Sequence, residues 1–270
     1  MITGAAVVAG IAGNPVAHSL SPVIHNAWLA RAGLDAAYVP FAPRDDAGFH
    51  ALVEAGRAGL IAGLNVTAPF KEQAFALADT ASERAGRIRS ANILVFRDGE
   101  VRADSSDGEG LLAALAEQAP KLDLAGAVVV MLGAGGAARA AVGALSEAGA
   151  EVVILNRSRD RAEALARELG ASVGEASDLG RADLVVNALS VRPEIDLGAL
   201  PAQAVVMDMT YRPVETPFLK AARERGLLGV DGLAMLIGQA GPSFQALFGQ
   251  APPPLDLRAL LLRHLGEVAR

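Results

Sequence analysis

The sequence has no cysteine. That excludes a disulfide framework, a thiolate zinc site, an iron–sulfur cluster and a cysteine nucleophile. Aromatic residues are only 4% of the 270, although hydrophobic residues reach 52%, with alanine carrying much of that share. Such a profile suits tightly packed helices on a parallel sheet better than a fibrous or disordered chain. The four histidines, His18, His25, His50 and His264, form no His-x-x-x-His or other ligand spacing, so no metal is indicated. Acids outnumber bases 30 to 24, the net charge is −6 and no Lys/Arg cluster stands out, so nucleic acid is not an expected partner. The first 30 residues lack Asp, Glu, Lys and Arg. Asn14, Pro15, His18, Ser19, Ser21, Pro22 and Asn26 interrupt that stretch, and it has no basic n-region. A membrane span and a secretory signal are both disfavoured, and a cytoplasmic location is expected by default.

Apolar runs of strand length alternate with helical patterns, the arrangement of a parallel α/β sheet. Strands are expected at Ala5–Ile11, Tyr38–Phe41 and Leu60–Asn65, with helices at Pro22–Ala32 and Asp46–Ala58 between them. Short helices fall between Pro69 and Gly86, and an antiparallel pair, Ala91–Phe96 with Val101–Ala103, turns at Asp98-Gly99. A helix at Gly108–Ala119 leads to strands at Val128–Leu132, Val152–Leu155, Leu184–Asn187 and Val205–Met207, with helices from near Gly135 and Ser158. The tail reads as helices at Gly232–Phe248 and Leu255–Val268, hinged at Pro252–Pro254.

Gly133-Ala134-Gly135-Gly136-Ala137-Ala138, after the strand at Val128, has the G-x-G-x-x-A spacing of a dinucleotide loop. That spacing lets the backbone approach a pyrophosphate, with helix N-terminal N–H groups aimed at its charge. The motif alone is weak, but here a strand, a helix and a second strand surround it within one βαβ length. The next strand ends without the carboxylate expected of an NAD site. Asn156, Arg157, Ser158 and Arg161 stand there instead, which suits a 2′-phosphate bound by planar, permanently charged guanidinium. NADP is therefore the expected cofactor, with NAD possible.

Residue 133 opens this loop, so the chain before it must supply a substrate domain. Short-chain dehydrogenases need Tyr-x-x-x-Lys, but Ala42 and Glu215 follow Tyr38 and Tyr211 at that spacing. Zinc alcohol dehydrogenases and aldehyde dehydrogenases need cysteine. Lactate- and malate-type enzymes need a histidine after the loop, and only His264 lies there. Lys71 is the strongest remaining proton donor. Asn65-Val-Thr67-Ala-Pro69-Phe-Lys71 reads as a strand end and a helix start with Pro69 at its first position. A cation in a first turn opposes the helix dipole, a poor place for a purely structural lysine and a useful one for proton exchange; a solvated surface lysine is the alternative. Asp107, in Ser106-Asp-Gly-Glu109, fits a capping box without any catalytic role. Ser21 with Pro22 reads as a helix cap, and Ser19 and Ser21 together would also cradle a carboxylate.

These segments together resemble the shikimate dehydrogenase family through nearly the whole chain. The resemblance runs through Gly13-x-Pro15, His18-Ser-Leu-Ser-Pro22, Ile24-His-Asn26 and Asn65-Val-Thr67-x-Pro69-x-Lys71. It continues in Asn92, Asp107, the 133–138 loop, Asn156-Arg157-Ser158, Tyr211-x-Pro213, Thr216-Pro217, Asp231-Gly232-Leu233, Met235-Leu236 and Gln239-Ala240. It implies two domains: an N-terminal α/β substrate domain, residues 1–105 completed by 238–270, and a Rossmann-type NADP-binding domain, residues 106–237. The C-terminal helices would return to the first domain. It also implies that Ser19, Ser21 and Tyr211 bind a carboxylate, and that Asn65, Thr67, Asn92, Asp107 and Gln239 bind ring hydroxyls. Lys71 would exchange the proton, while Met209 and Gly232 line the nicotinamide and Glu83 lies near the cofactor. The expected partner is a small cyclic hydroxy acid, and the expected assembly a monomer or homodimer.

Departures bear on the substrate. Ile93 and Ser105-Ser106 stand where the family usually has Thr and Asn-Thr, and Leu189 follows Asn187-Ala188 where Thr is expected. A relative using NAD, or acting on quinate or a related cyclic hydroxy acid, or both, a methylene-tetrahydrofolate-type dehydrogenase and a non-catalytic NADP sensor are the alternatives. The folate type would need a pterin-stacking aromatic, and a sensor would not need Lys71, Asp107 and Gln239 together.

Overall fold

The computed structural model describes residues 2–189 and 191–267. The chain divides into two compact units, residues 1–106 with 239–270, and residues 107–238.

In the first unit, β1 (Val7–Ala12), α1 (Ser21–Ala32), β2 (Ala36–Phe41), α2 (Asp46–Arg57) and β3 (Gly63–Val66) alternate. The three strands are parallel with β1 central. Then come α3 (Lys71–Ala76), the two-residue β4 (Thr80–Ala81), α4 (Glu83–Ile88), β5 (Ile93–Arg97) and β6 (Glu100–Asp104). The β5–β6 hairpin joins the same sheet antiparallel to β3, giving the order β2-β1-β3-β5-β6-β4. Its turn places Asp98 at φ 54° and Gly99 at φ 82°, the doubly left-handed geometry that Asp-Gly favours. Phe49 of α2 stacks on Phe70 at 4.8 Å over a core that includes Val53, Leu64 and Leu94.

The second unit runs α5 (Asp107–Gln118), β7 (Val128–Leu132), α6 (Gly136–Glu147), β8 (Glu151–Leu155), α7 (Arg159–Leu169), β9 (Ser172–Val173), β10 (Leu184–Asn187), β11 (Val205–Asp208), α8 (Pro217–Glu224) and β12 (Leu228–Val230). Short 3₁₀ turns flank β10. All six strands are parallel in the order β12-β11-β10-β7-β8-β9. That is the doubly wound order, and the direction of winding reverses between β7 and β10. In such sheets ligands bind beyond the carboxyl ends of the strands at the reversal. The chain closes with α9 (Gly232–Phe248) and α10 (Leu257–His264), the latter packed on α1.

Three strands were not expected from the sequence. β4, β9 and β12 are two or three residues long, too short to show a period of two. α8 did carry a signal: Pro217 is at its start and the Thr216 hydroxyl accepts from the Leu219 N–H at 3.2 Å. The last helix ends at His264, and the expected extension to Val268 reaches outside the described residues.

Candidate active site

The loop from Gly133 to Ala137 leaves β7 at the reversal point of the second sheet. Gly133 has φ +111° and donates its N–H to the Leu155 carbonyl, a conformation that glycine adopts most readily. Gly135 caps α6 with ordinary extended backbone, and no atom of the described residues lies within 4 Å of where its Cβ would sit. The described residues thus give no steric reason for glycine at 135, while close approach of a ligand to the backbone would. Beyond β8, the Asn156 side chain donates to the Ser158 carbonyl at 2.8 Å and shapes the turn into α7. Arg159 is tied to Glu163, but Arg157 and Arg161 are exposed and make no ion pair among the described residues. Two free guanidinium groups at this turn suit a phosphate.

Asp208, at the end of β11, is buried and was not singled out from the sequence. Its carboxyl accepts from Asn187 Nδ2, the N–H and hydroxyl of Thr210, and the hydroxyl of Thr216. These bonds secure the turn that carries Met209 and Tyr211. A Cβ on Gly232 would come within 2.5 Å of the Met209 and Thr210 carbonyl oxygens, so α9 starts hard against that turn. Leu189, where the family usually has Thr, has its Cδ2 3.1 Å from the Cβ position of Gly133. An apolar side chain therefore lines that flank of the loop.

In the first unit Lys71 is the first residue of α3 and is half-buried, with its carbonyl accepting from the Ala91 N–H at 2.9 Å. The helix starts two residues later than the sequence indicated. Pro69 follows a cis bond from Ala68 and lies ahead of Phe70, the N-cap, so it serves the entry turn and not the first helical position. Next to Ala91, Asn92 donates from Nδ2 to Gln239 Oε1 at 3.2 Å and to Ser106 Oγ at 3.2 Å. Thr67 is half-buried at the end of β3, its N–H bonded to the Ala12 carbonyl. Glu83 is exposed at the start of α4, with Ser82 as the cap.

The serine pair works differently from the sequence reading. Leu20 is the N-cap of α1, with no side-chain cap bond, and Ser21 is the first helical residue. It is Ser19 whose hydroxyl accepts from the Ser21 N–H, at 3.2 Å. Ser21 instead hydrogen-bonds Tyr38, whose hydroxyl donates to Asn65 Oδ1 at 2.6 Å. Asn65 is 9% exposed, and its Nδ2 lies 3.0 Å from the Asn92 carbonyl and 2.6 Å from Ser243 Oγ. Burial pushes the Tyr38 phenol well above its ordinary value of 10.0, opposed by the Ser21 hydrogen bond. His25 stacks on the Tyr38 ring at 4.2 Å, and burial holds its imidazole down at about 3, so it stays neutral. Tyr38 and Ser243 escaped the sequence reading because only the fold brings them beside Ser21 and Asn65.

Two family models match the chain: the shikimate dehydrogenase substrate binding domain over residues 11–94, and shikimate / quinate 5-dehydrogenase over residues 114–195. A shikimate dehydrogenase (NADP(+)) of Caulobacter vibrioides is 52% identical over 282 aligned positions, covering 99% of either chain. The chain belongs to the shikimate dehydrogenase family. Among solved members, the Thermus thermophilus shikimate 5-dehydrogenase in complex with NADP(H) and shikimate is 36% identical. It covers 95% of this chain and 99% of its own, with a TM-score of 0.85. A quinate dehydrogenase from Corynebacterium glutamicum in complex with NAD is 28% identical over 96% of this chain and 99% of its own, with a TM-score of 0.86. A quinate dehydrogenase thus shares the fold of the shikimate dehydrogenases. Among the described residues, no helix is long and apolar enough to cross a membrane.

Proposed function

We propose that this chain is an NADP-dependent shikimate dehydrogenase, which reversibly reduces 3-dehydroshikimate to shikimate in aromatic amino acid biosynthesis. The observation that carries this reading is full-length identity of 52% to a protein of that name. The free guanidinium groups of Arg157 and Arg161 support the cofactor, and the polar cluster of Asn65, Asn92 and Gln239 supports a hydroxylated substrate.

The loop of Gly133, Ala134, Gly135, Gly136 and Ala137 would take the pyrophosphate, and Asn156, Arg157, Ser158 and Arg161 the 2′-phosphate end. Met209 and Gly232 would flank the nicotinamide, with Glu83 a further cofactor neighbour. The bound cofactor supplies the hydride for reduction and accepts it for oxidation. Lys71 gives a proton to the reacting oxygen in one direction and takes it back in the other. Ser19, Ser21 and Tyr211 would hold the substrate carboxylate, and Thr67, Asn92, Asp107 and Gln239 its hydroxyls, with Asn65 beside them.

Gly135 offers a test that separates cofactor binding from folding. Gly135→Ala meets no atom of the described residues, so the melting temperature should hold, while KM for NADP rises on the order of tenfold, about 1.4 kcal/mol. A drop in stability with unchanged KM would assign the glycine to the fold.

The whole reading is tested by following nicotinamide absorbance with purified protein, offering shikimate and quinate, each with NADP and NAD. The highest kcat/KM is expected for shikimate with NADP. A preference for quinate or for NAD would point to the relatives of that type, and binding of NADP with no turnover of either acid would point to a sensor.

A further inference from the structure

We propose that Ser106 is a positioning residue that holds Gln239 at the substrate, directly through its hydroxyl at the Gln239 backbone carbonyl and, through Asn92, at the Gln239 amide. This deepens the reading above and rests on it, because Asn92 and Gln239 are there assigned to the substrate hydroxyls.

Ser106 follows β6, is fully buried and bonds the Asn92 amide and the Gln239 backbone carbonyl. Its backbone N–H donates to Asn92 Oδ1 at 2.9 Å. A backbone N–H can only donate, so the amide oxygen must face it and Nδ2 must face away. The Ser106 hydroxyl donates to the Gln239 carbonyl at 3.0 Å, and a carbonyl can only accept, so the serine oxygen has a lone pair left for Asn92 Nδ2. Asn92 Nδ2 also donates to Gln239 Oε1. Gln239 is thereby oriented with its oxygen toward Asn92, leaving Nε2 as the end with no protein partner among the described residues. In this arrangement Gln239 presents N–H groups and reads an oxygen acceptor, such as a ring hydroxyl or a carbonyl. One short side chain bridges the start of β5 to the middle of α9. The family's usual Thr would keep the same hydroxyl, which accounts for serine being tolerated at 106.

The test compares Ser106→Ala, Ser106→Thr and Ser106→Cys with Gln239→Ala in the purified enzyme. Ser106→Ala keeps the backbone N–H on Asn92 Oδ1 but removes the hydroxyl that links Asn92 Nδ2 to the Gln239 carbonyl, so Gln239 is held less firmly. KM for shikimate should rise roughly five- to thirtyfold, while KM for NADP stays within about twofold. Ser106→Thr should stay within about threefold of the parent, and Ser106→Cys, with a weak S–H donor, should fall between. Ser106→Cys also carries the test if the alanine variant does not accumulate folded. The double variant Ser106→Ala with Gln239→Ala should be no worse than the more severe single, because the serine acts through the glutamine. A lower melting temperature with unchanged KM for shikimate in both Ser106→Ala and Ser106→Cys would reduce Ser106 to a structural residue and overturn the proposal, provided Gln239→Ala still raises KM. If Gln239→Ala itself leaves KM unchanged, the assignment of Gln239 to the substrate fails first, and the proposal falls with it.

Discussion

Replacing Lys71 with methionine should lower kcat by about 10²–10⁴-fold while moving KM for shikimate and for NADP by no more than about threefold. The expectation starts from placement. Lys71 is the first residue of α3, where the helix dipole disfavours a cation, and it is half-buried. The chain holds it there: its carbonyl accepts from Ala91, so the start of α3 is pinned beside Asn92, one residue on. Methionine, one atom shorter, keeps an unbranched apolar stem but has no proton to give. Substrate and cofactor should therefore bind, and the chemical step should slow. Steady-state kinetics with an independent measurement of NADP binding decides it. A variant retaining more than half the parent kcat would return Lys71 to a surface role, and equal losses in kcat and in cofactor binding would mean that the substitution disturbed the fold.

Arg157→Ala should weaken NADP binding by about ten- to 150-fold, the loss of one charge-assisted contact worth about 1.5–3 kcal/mol. Binding of NAD should stay nearly constant. Arg157 is exposed and makes no ion pair among the described residues, so the melting temperature of the variant should not move. That separates it from Arg159, whose partner is Glu163, and from Arg139, bonded to Glu168. The charge would gain its partner only from the 2′-phosphate, which NAD lacks, so the ratio of the two affinities is the informative quantity. Equal weakening of both cofactors would place the arginine in the turn's architecture, and a parent protein preferring NAD would remove the basis for NADP altogether.

Much of the architecture is legible in the residues themselves. Val128–Leu132, Leu184–Asn187 and Gly232–Phe248 have the bounds their sequence patterns indicate. The turn at Asp98-Gly99 and the glycine loop after β7 were legible because their backbone geometry restricts which residues can stand there. Caps were read less well. Ser21 has the composition of a cap, yet Ser19 bonds the helix start, because the choice depends on a backbone angle at Leu20 that no residue type announces.

What the sequence by itself determined is the order of strands and helices, the dinucleotide loop with its missing carboxylate, and the set of polar residues from which a site could be assembled. These are local properties, set by period, by turn chemistry and by side-chain type within a few neighbours. Only the tertiary structure decided which of those residues meet. Asn65 with Tyr38 and Ser243, Asn92 with Ser106 and Gln239, and Asp208 with Asn187 and Thr216 are pairings across 8 to 178 positions of chain. Each depends on strand register and helix placement, which arise from the packing of the whole core. Hydrogen-bond direction within these clusters has the same origin, since an amide's orientation is fixed by the partner that can only donate or only accept.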